Sequence, residues 1–309
     1  MTITQLQYII AVDTHRHFGR AADACFVTQP TLSMQIQKLE DELGVVIFDR
    51  NKHPIETSPA GKSIVEQARK VIAESLKLSQ IAQHASGDVT GEFRLGIIPT
   101  IAGNLLYRFI DRFKQELQEV SLIVEEMQTD QIIRALKQGE LDAGVLATPL
   151  DENGLEEIPL YYEPFMAYVP PGHRLAEDEF VLSSELDLDD LLLLNKGHCF
   201  RTSVLTLCGQ DLSEKKKFRM ESGSFETLIK LANKGYGMTL LPYLTSIDLP
   251  AELQKNIKPI AEPTPSREVS IVYTDVHAKS AIIEKLAPII RNSVPKRLLF
   301  EKNTVLSPI

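Results

Sequence analysis

From residue 92 onward, short apolar runs alternate with amphipathic helical stretches, and this alternation is the strongest constraint on what the chain can fold into. Residues 93–98 read as a strand, 104–117 as a helix and 121–126 as a strand; 131–138 read as a helix stopped by Gly139, and 143–147 as another buried strand. Such βαβα order calls for a parallel sheet with helices on both faces. A second set opens near Phe165, with runs at 191–194 and 218–220, a helix over 225–234 and the run GYGMTLLP at 235–242. A strand at 269–273 is expected to return to the first half, followed by a helix from Lys279 to about Asn292. Two α/β halves joined by two crossing strands make a cleft, with Pro164 and Pro265 near the hinges. The α/β part is expected over residues 88–309, with subdomain I at about 92–163 and 268–295 and subdomain II at about 164–267. The tail after Pro295 has no clear role. Ligands of open α/β sheets sit beyond the carboxyl ends of strands. Thr100 and Thr129 stand there, either to meet a ligand or simply to cap the helices that follow.

A chain of 309 residues exceeds one ordinary core, so two or three domains are expected. There is no run of eighteen apolar residues and no basic-then-apolar leader, which predicts a soluble cytoplasmic protein with no membrane partner. The net charge of −9 is unevenly spread. Residues 1–87 hold nine basic and nine acidic side chains, leaving 24 against 33 beyond them. Contact with a polyanion must therefore rest on a local face, doubled by oligomerisation.

That neutral segment reads as three short helices and a hairpin. Leu6, Ile9, Ile10 and Val12 keep helical spacing after a cap at Thr4. A second helix near 19–25 puts Ala21, Ala22 and Cys25 on one side. Thr28 can cap a third helix with Pro30 in its first turn, where a missing N–H is harmless. Leu32, Ile36, Leu39 and Leu43 mark its buried side and Gly44 ends it. Two helices joined by a tight turn form a helix-turn-helix. The early exposed positions Gln29, Thr31, Ser33, Met34, Gln35 and Lys38 include types that bond phosphates or base edges. Strands at 46–48 and 55–57 flank Arg50, Lys52 and His53 as a wing with a basic tip. On composition alone, an ordinary helical domain with a solvated polar face is the favoured reading. Pro59 and Gly61 head a long helix to about Ser86, with a stripe through Val65, Ala68, Ile72, Ser75, Leu78 or Ser79, and Ala82. It either packs on its own domain or, as so narrow a stripe favours, forms an antiparallel dimer seam. Residues 87–91 then link the two parts.

The segment AADACFVTQPTLSMQIQKLEDELGVVIFDR resembles the N-terminal signature of LysR-type transcriptional regulators. The resemblance implies a winged helix-turn-helix domain over residues 1–57 and a dimerisation helix over 58–87. It implies DNA contacts at Thr28, Gln29, Pro30, Thr31, Ser33, Gln35, Lys38 and Arg50. GYGMTLLP matches the family's effector domain, which implies two Rossmann-like subdomains in a periplasmic-binding-protein-like arrangement. Double-stranded promoter DNA and RNA polymerase become the expected partners, and a small organic metabolite in the cleft the generic effector.

The stretch GHCFRTSVLTLC at 197–208 holds two of the three cysteines, nine positions apart. Cys199 lies between His198 and Arg201, and a thiol near cations ionises more readily, which makes it a candidate nucleophile. Cys208 is the natural second sulfur. Residues 200–207 read as a short helix; nine helical steps from Cys199 to Cys208 span about 13 Å, whereas bridged cysteines need Cα atoms about 4.4–6.8 Å apart. Two buried inert thiols are the plain alternative, Arg201 can simply pair with an acid, and Cys25 reads as a small core residue. Lone His198 beside Cys199 lacks metal-site spacing, so neither metal nor cofactor is expected.

Within the LysR family, the spacing HCxR…C after a leucine-rich strand is similar to that of the peroxide-sensing members. That resemblance implies attack of Cys199 on hydrogen peroxide, a disulfide with Cys208, and peroxide-binding or thiolate-stabilising roles for Thr100, Thr129, His198 and Arg267 beside Arg201. It also implies a homotetramer built as a dimer of dimers, reset by a cellular dithiol reductant, and no turnover enzyme. Thr202 stands where several relatives carry Asp, so a carboxylate proton relay is not expected there. A metabolite-responsive regulator and, from a different class, a thiol peroxidase or solute-binding protein are the competing readings.

Overall fold

The computed structural model describes residues 1–84, 90–209, 222–274, 279–299, 304–306 and 308; the expected strand at 218–220 lies outside them. The chain divides into two units, Met1–Asp88 and Val89–Ile309.

The first unit contains α1 (Ile3–His15), α2 (Phe18–Ala24), α3 (Gln29–Leu43), the antiparallel pair β1 (Phe48–Asp49) and β2 (Glu56–Thr57), and α4 (Pro59–His84). The cap of α1 is Thr2 rather than Thr4, in a reciprocal capping box with Gln5. The His17 ring caps α2 by accepting the Gly19 and Arg20 amides. Thr28 holds the N-cap position of α3, but its hydroxyl meets Thr31 Oγ1 at 2.9 Å instead of a backbone amide. Ala21 and Ala22 are buried and let α2 approach α3, whose Leu32, Ile36 and Leu39 are fully enclosed. Leu43 falls off that stripe at 39% exposure. Cys25 is the C-cap of α2, half-buried beside the core rather than on the helix face. Along α4, Val65 and Ala68 bury their side chains in this unit's own core, with Val71 and Ile72 packed against it.

The second unit runs β3 (Gly91–Ile97), α5 (Pro99–Glu116), β4 (Val120–Glu126), α6 (Thr129–Gln138), β5 (Ala143–Thr148) and β6 (Leu155–Tyr168). After these come α7 (Cys199–Cys208), α8 (Phe225–Ala232), β7 (Thr239–Pro242), α9 (Tyr243–Ile247), α10 (Ala251–Gln254), β8 (Ile257–Pro259), β9 (Pro265–Thr274), α11 (Ser280–Arg291) and β10 (Thr304–Val305). The sheet is ordered β4-β3-β5-β9-β6-β7, with β10 on β9 and β8 on β6. β4, β3 and β5 are parallel, but the returning β9 is antiparallel to β5, so the sheet is mixed. β6 and β9 are the two crossing strands, paired from Leu155↔Thr274 to Pro164↔Ser266. They run between two separate apolar cores, one built on β3, β5, α5, α6 and α11, the other on the far end of β6, on β7 and α8 and on Leu191–Leu194.

Two boundaries matter for the site. α5 starts at Pro99 directly after β3, so Thr100 lies inside its first turn, and Ile98 is the N-cap. Thr129 likewise is the first helical residue of α6, whose N-cap is Gln128. Neither threonine is a cap. The tail after Pro295 also has structure: a 3-10 turn at Lys296–Leu299 and then β10, parallel to the start of β9.

Candidate redox site

The helix expected over 200–207 is a ten-residue helix with one cysteine at each end, halted by Gly209 in the left-handed region. Its first turn lies where the two cores meet. Cys199 packs with the first core, whereas Phe200 and Val204 pack with the second. Phe200 is wedged edge-on between Phe165 and Phe225, with ring centroids 4.8 and 5.2 Å away. Nine helical steps separate the Cα atoms of Cys199 and Cys208 by about 13 Å, and both are free thiols.

Cys199 is 8% exposed. Burial pushes its thiol above the ordinary value, because a thiolate loses its hydration there. Four influences work the other way: the positive charge of Arg267, the Thr129 hydroxyl, and backbone amides at Phe200 and Cys199. The last two are the free N–H groups of a helix N-terminus. Thr129 Oγ1 is buried with no hydrogen-bond partner in this geometry, yet it lies close enough to the sulfur to favour the thiolate. An unsatisfied hydroxyl beside a buried thiol is a place for a small polar molecule.

Arg267 is 2% exposed, and four of its five N–H donors are engaged. Its Nε and Nη2 donate to Glu163 Oε2 at 2.9 and 2.7 Å, Nη1 to Thr100 Oγ1 at 2.9 Å and Nη2 to the Thr100 carbonyl at 3.0 Å. Its guanidinium also lies 5.5 Å above the Phe200 ring. Glu163 and Arg267 are direct partners in the β6–β9 register, at the hinge end of the crossing strands. The other oxygen of Glu163 accepts the Leu244 amide at the start of α9. Since Thr100 accepts from Arg267, its own O–H remains able to donate.

The two neighbours that sequence placed beside the sulfur as cations behave differently. His198 is buried, and desolvation holds its imidazole below the usual value despite the opposing Glu126 carboxylate, so it is neutral near pH 7. Arg201 directs Nη1 to the Leu194 carbonyl at 2.7 Å, which ties α7 to the leucine-rich run. The cation that acts on Cys199 is Arg267, 68 positions away. Thr202 is exposed on the outer side of α7. Cys208, half-buried at the other end, is pushed up to about 11 by burial and by the negative charge of Asp187.

Sequence reasoning missed Glu163, Phe200 and Gln128. The Gln128 side chain closes over Gly197, whose φ of 99° is a backbone conformation that side-chain-bearing residues rarely adopt. An Arg–Glu pair across a hinge leaves no spacing signal, because its partners belong to strands far apart in sequence. A cleft of about 740 Å³ adjoins the site, lined by Thr100, Asn104, Glu126, Lys230 and Asp248 among others. Among the described residues, no group of three His, Cys, Asp or Glu side chains could hold a metal ion.

In the first unit Thr28, Gln29, Pro30, Thr31 and Lys38 are exposed along the start and outer face of α3. Ser33 accepts from Arg50 at 3.2 Å, and Gln35 accepts from Gln5 at 3.3 Å. Arg50 is also paired with buried Glu40 at 2.9 Å and stacked 5.3 Å above Phe18, so it braces the wing against α3. Glu40, which also takes the Ile47 and Phe48 amides, was not anticipated.

Comparison with known proteins fits this arrangement. Residues 3–62 match the pattern described as bacterial regulatory helix-turn-helix protein, lysR family, and residues 86–294 match the LysR substrate binding domain. A hydrogen peroxide-inducible genes activator of Pectobacterium carotovorum is 36% identical over 94% of this chain and 96% of its own length. The DNA-binding transcriptional dual regulator OxyR of Escherichia coli K12 is 36% identical over 94% and 95%. Among solved structures, a full-length OxyR variant from Pseudomonas aeruginosa superimposes with a TM-score of 0.78 at 35% identity, covering 94% of this chain and 98% of that one. An H2O2-bound OxyR mutant of Corynebacterium glutamicum gives 0.60 at 27% identity, covering 94% and 92%. With both of its units matched and the cysteine helix set between the two cores of the second, the chain belongs to the LysR family of bacterial transcriptional regulators and is similar to OxyR.

Proposed function

We propose that this chain is a DNA-binding transcriptional activator that senses hydrogen peroxide through Cys199 and Cys208 and switches on oxidative-stress defence genes. One observation carries the reading: the two cysteines terminate a single short helix whose head is packed against Arg267 and Thr129.

In the first step the Cys199 thiolate attacks one peroxide oxygen. The O–O bond breaks, a sulfenic acid forms and hydroxide leaves to be protonated to water. Thr100 and Thr129 offer hydroxyls to the peroxide, and Arg267 stabilises the charge on sulfur and on the departing oxygen. Neutral His198 supplies a polar wall and, in one tautomer, a proton donor. Arg201 holds the helix head on Leu194. In the second step α7 unwinds, the Cys208 sulfur attacks Cys199 Sγ, the S–O bond breaks and a second water forms. A ten-residue helix is marginal on its own and owes its order to packing, while a disulfide closing about ten residues contributes roughly 2–3 kcal/mol. The two forms are therefore close enough for one covalent bond to choose between them. A cellular dithiol reverses the bridge by exchange, so the chain is a reversible switch and not a turnover enzyme.

Promoter DNA is met by Thr28, Gln29, Pro30, Thr31, Ser33, Gln35 and Lys38, with Arg50 positioning the wing. The working form is a cytoplasmic, nucleoid-associated homotetramer, a dimer of dimers that recruits RNA polymerase. The test is titration of the full chain with peroxide, with disulfides mapped by mass spectrometry and DNA binding read in parallel. A Cys199–Cys208 bridge that is lost in Cys199→Ser is the expected result. A wild-type chain that forms no such bridge, or a Cys199→Ser chain that still responds, refutes it. The cleft beside Thr100 supports a second reading, a small organic effector. A ligand-dependent rise in Tm with no response to peroxide would select it.

A further inference from the structure

Residues after 294 lie beyond the family match, yet they touch both parts of the hinge that holds Arg267. Leu298 is fully buried in the first core, whereas Leu306 packs against the second. Between these anchors β10 pairs in parallel with β9, Thr304 opposite Pro265 and Val305 opposite Ser266, and the Leu306 amide donates to the Ser266 carbonyl at 2.8 Å. β5 covers that same side of β9 only from Glu268 onward. Arg267 therefore sits at the seam where one neighbouring strand ends and the tail begins. Without β10, Pro265 and Ser266 would have a bare edge on that side. The tail reaches the other partner too. Arg297 stacks 3.7 Å above the Tyr243 ring, and Tyr243 opens α9, whose next amide holds Glu163 Oε1.

We propose that the C-terminal tail is a positioning strap: by fixing the backbone at Ser266 and the start of α9, it sets the Arg267–Glu163–Thr100 network on which Cys199 reactivity depends. The strap contributes no atom to the reaction. It places the guanidinium, and misplacement by a fraction of an ångström weakens its hold on the thiolate. The inference rests on the peroxide-sensing reading for its purpose, but its test does not.

The experiment measures Cys199 alkylation by iodoacetamide against pH in the reduced full chain, in a chain ending at Asn303, and in Leu306→Pro and Arg297→Ala. Tm and the peroxide rate are followed alongside. The expected result is a rise in the pH midpoint of Cys199 in the shortened chain and in Leu306→Pro, with roughly tenfold slower alkylation at pH 7 for each unit of rise. Arg297→Ala should show a smaller change in the same direction. Unchanged midpoints, even with a lowered Tm, would make the tail a structural appendage and overturn the proposal. Should the shortened chain fail to fold, the two point variants decide by the same midpoint. Absence of any peroxide reaction in the intact chain would refute the sensing function while leaving the midpoint test in force.

Discussion

The two ends of α7 carry the same residue in opposite settings. At the N-terminal end Cys199 is enclosed, faces Arg267 and Thr129, and has free helix amides beside it. At the C-terminal end Cys208 is half-buried, shares its surroundings with Asp187, and sits where helix carbonyls accumulate negative charge. Both thiols are raised by burial, but only Cys199 has compensating positive and hydrogen-bonding groups. The two ends of one helix, together with the side chains packed on them, thus give two identical thiols opposite electrostatic settings.

The largest effect that would break this contrast is exchange of the cysteines themselves. Cys199→Ser should abolish oxidation in the helix, whereas Cys208→Ser should still form a sulfenic acid, trapped by a dimedone-type reagent and seen by mass spectrometry. Equal trapping in both variants would erase the division of labour.

Next comes Arg267→Met. It strips the sulfur of its main cation and leaves Glu163 charged and buried, which costs about 3–5 kcal/mol in denaturant unfolding and slows peroxide reaction about tenfold or more. Thr129→Val should lose a smaller factor, about three- to tenfold in rate, for the loss of one hydrogen bond worth about 0.5–1.5 kcal/mol, with little change in Tm. That separates the two residues: one holds the fold and the chemistry, the other only the chemistry.

At the opposite end, Asp187→Asn should lower the Cys208 midpoint from about 11 and speed closure of the disulfide after sulfenic acid formation, with no change in the first step. Stopped-flow traces with two phases would resolve it. The smallest effect is that of His198. Its folded value lies below the unfolded one, so the stability tied to its neutral form is present above about pH 6.5 and is lost as pH falls below it. Hydrogen-exchange protection factors in α7, corrected for the intrinsic rate at each pH, should therefore fall on acidification in the wild-type chain and not in His198→Gln.

Much of this molecule is written locally. The spacing of Leu32, Ile36 and Leu39, the Thr28-Gln29-Pro30 start and the Gly44 stop specify α3, because helix periodicity and turn chemistry act over a few residues. The cysteine helix was visible for the same reason, and so were the crossing strands with their prolines. Its ends shifted by one residue, and α5 began five residues early because Pro99 serves as a first-turn residue. The electrostatics of the site are not legible in the same way. His198 and Arg201 adjoin the sulfur along the chain, yet adjacency at a helix start does not fix the direction of a side chain. One is neutral by burial and the other is spent on Leu194.

The chain by itself therefore determined the two-part architecture, the recognition helix and the separation of two sulfurs by one helix, since these depend on short-range pattern. Only the tertiary structure decided which charge reaches Cys199, that Glu163 holds that charge, and that the tail closes the edge beside it. Those outcomes follow from strands meeting across more than a hundred residues, and the field at a buried sulfur is set by distance in space rather than by position in sequence.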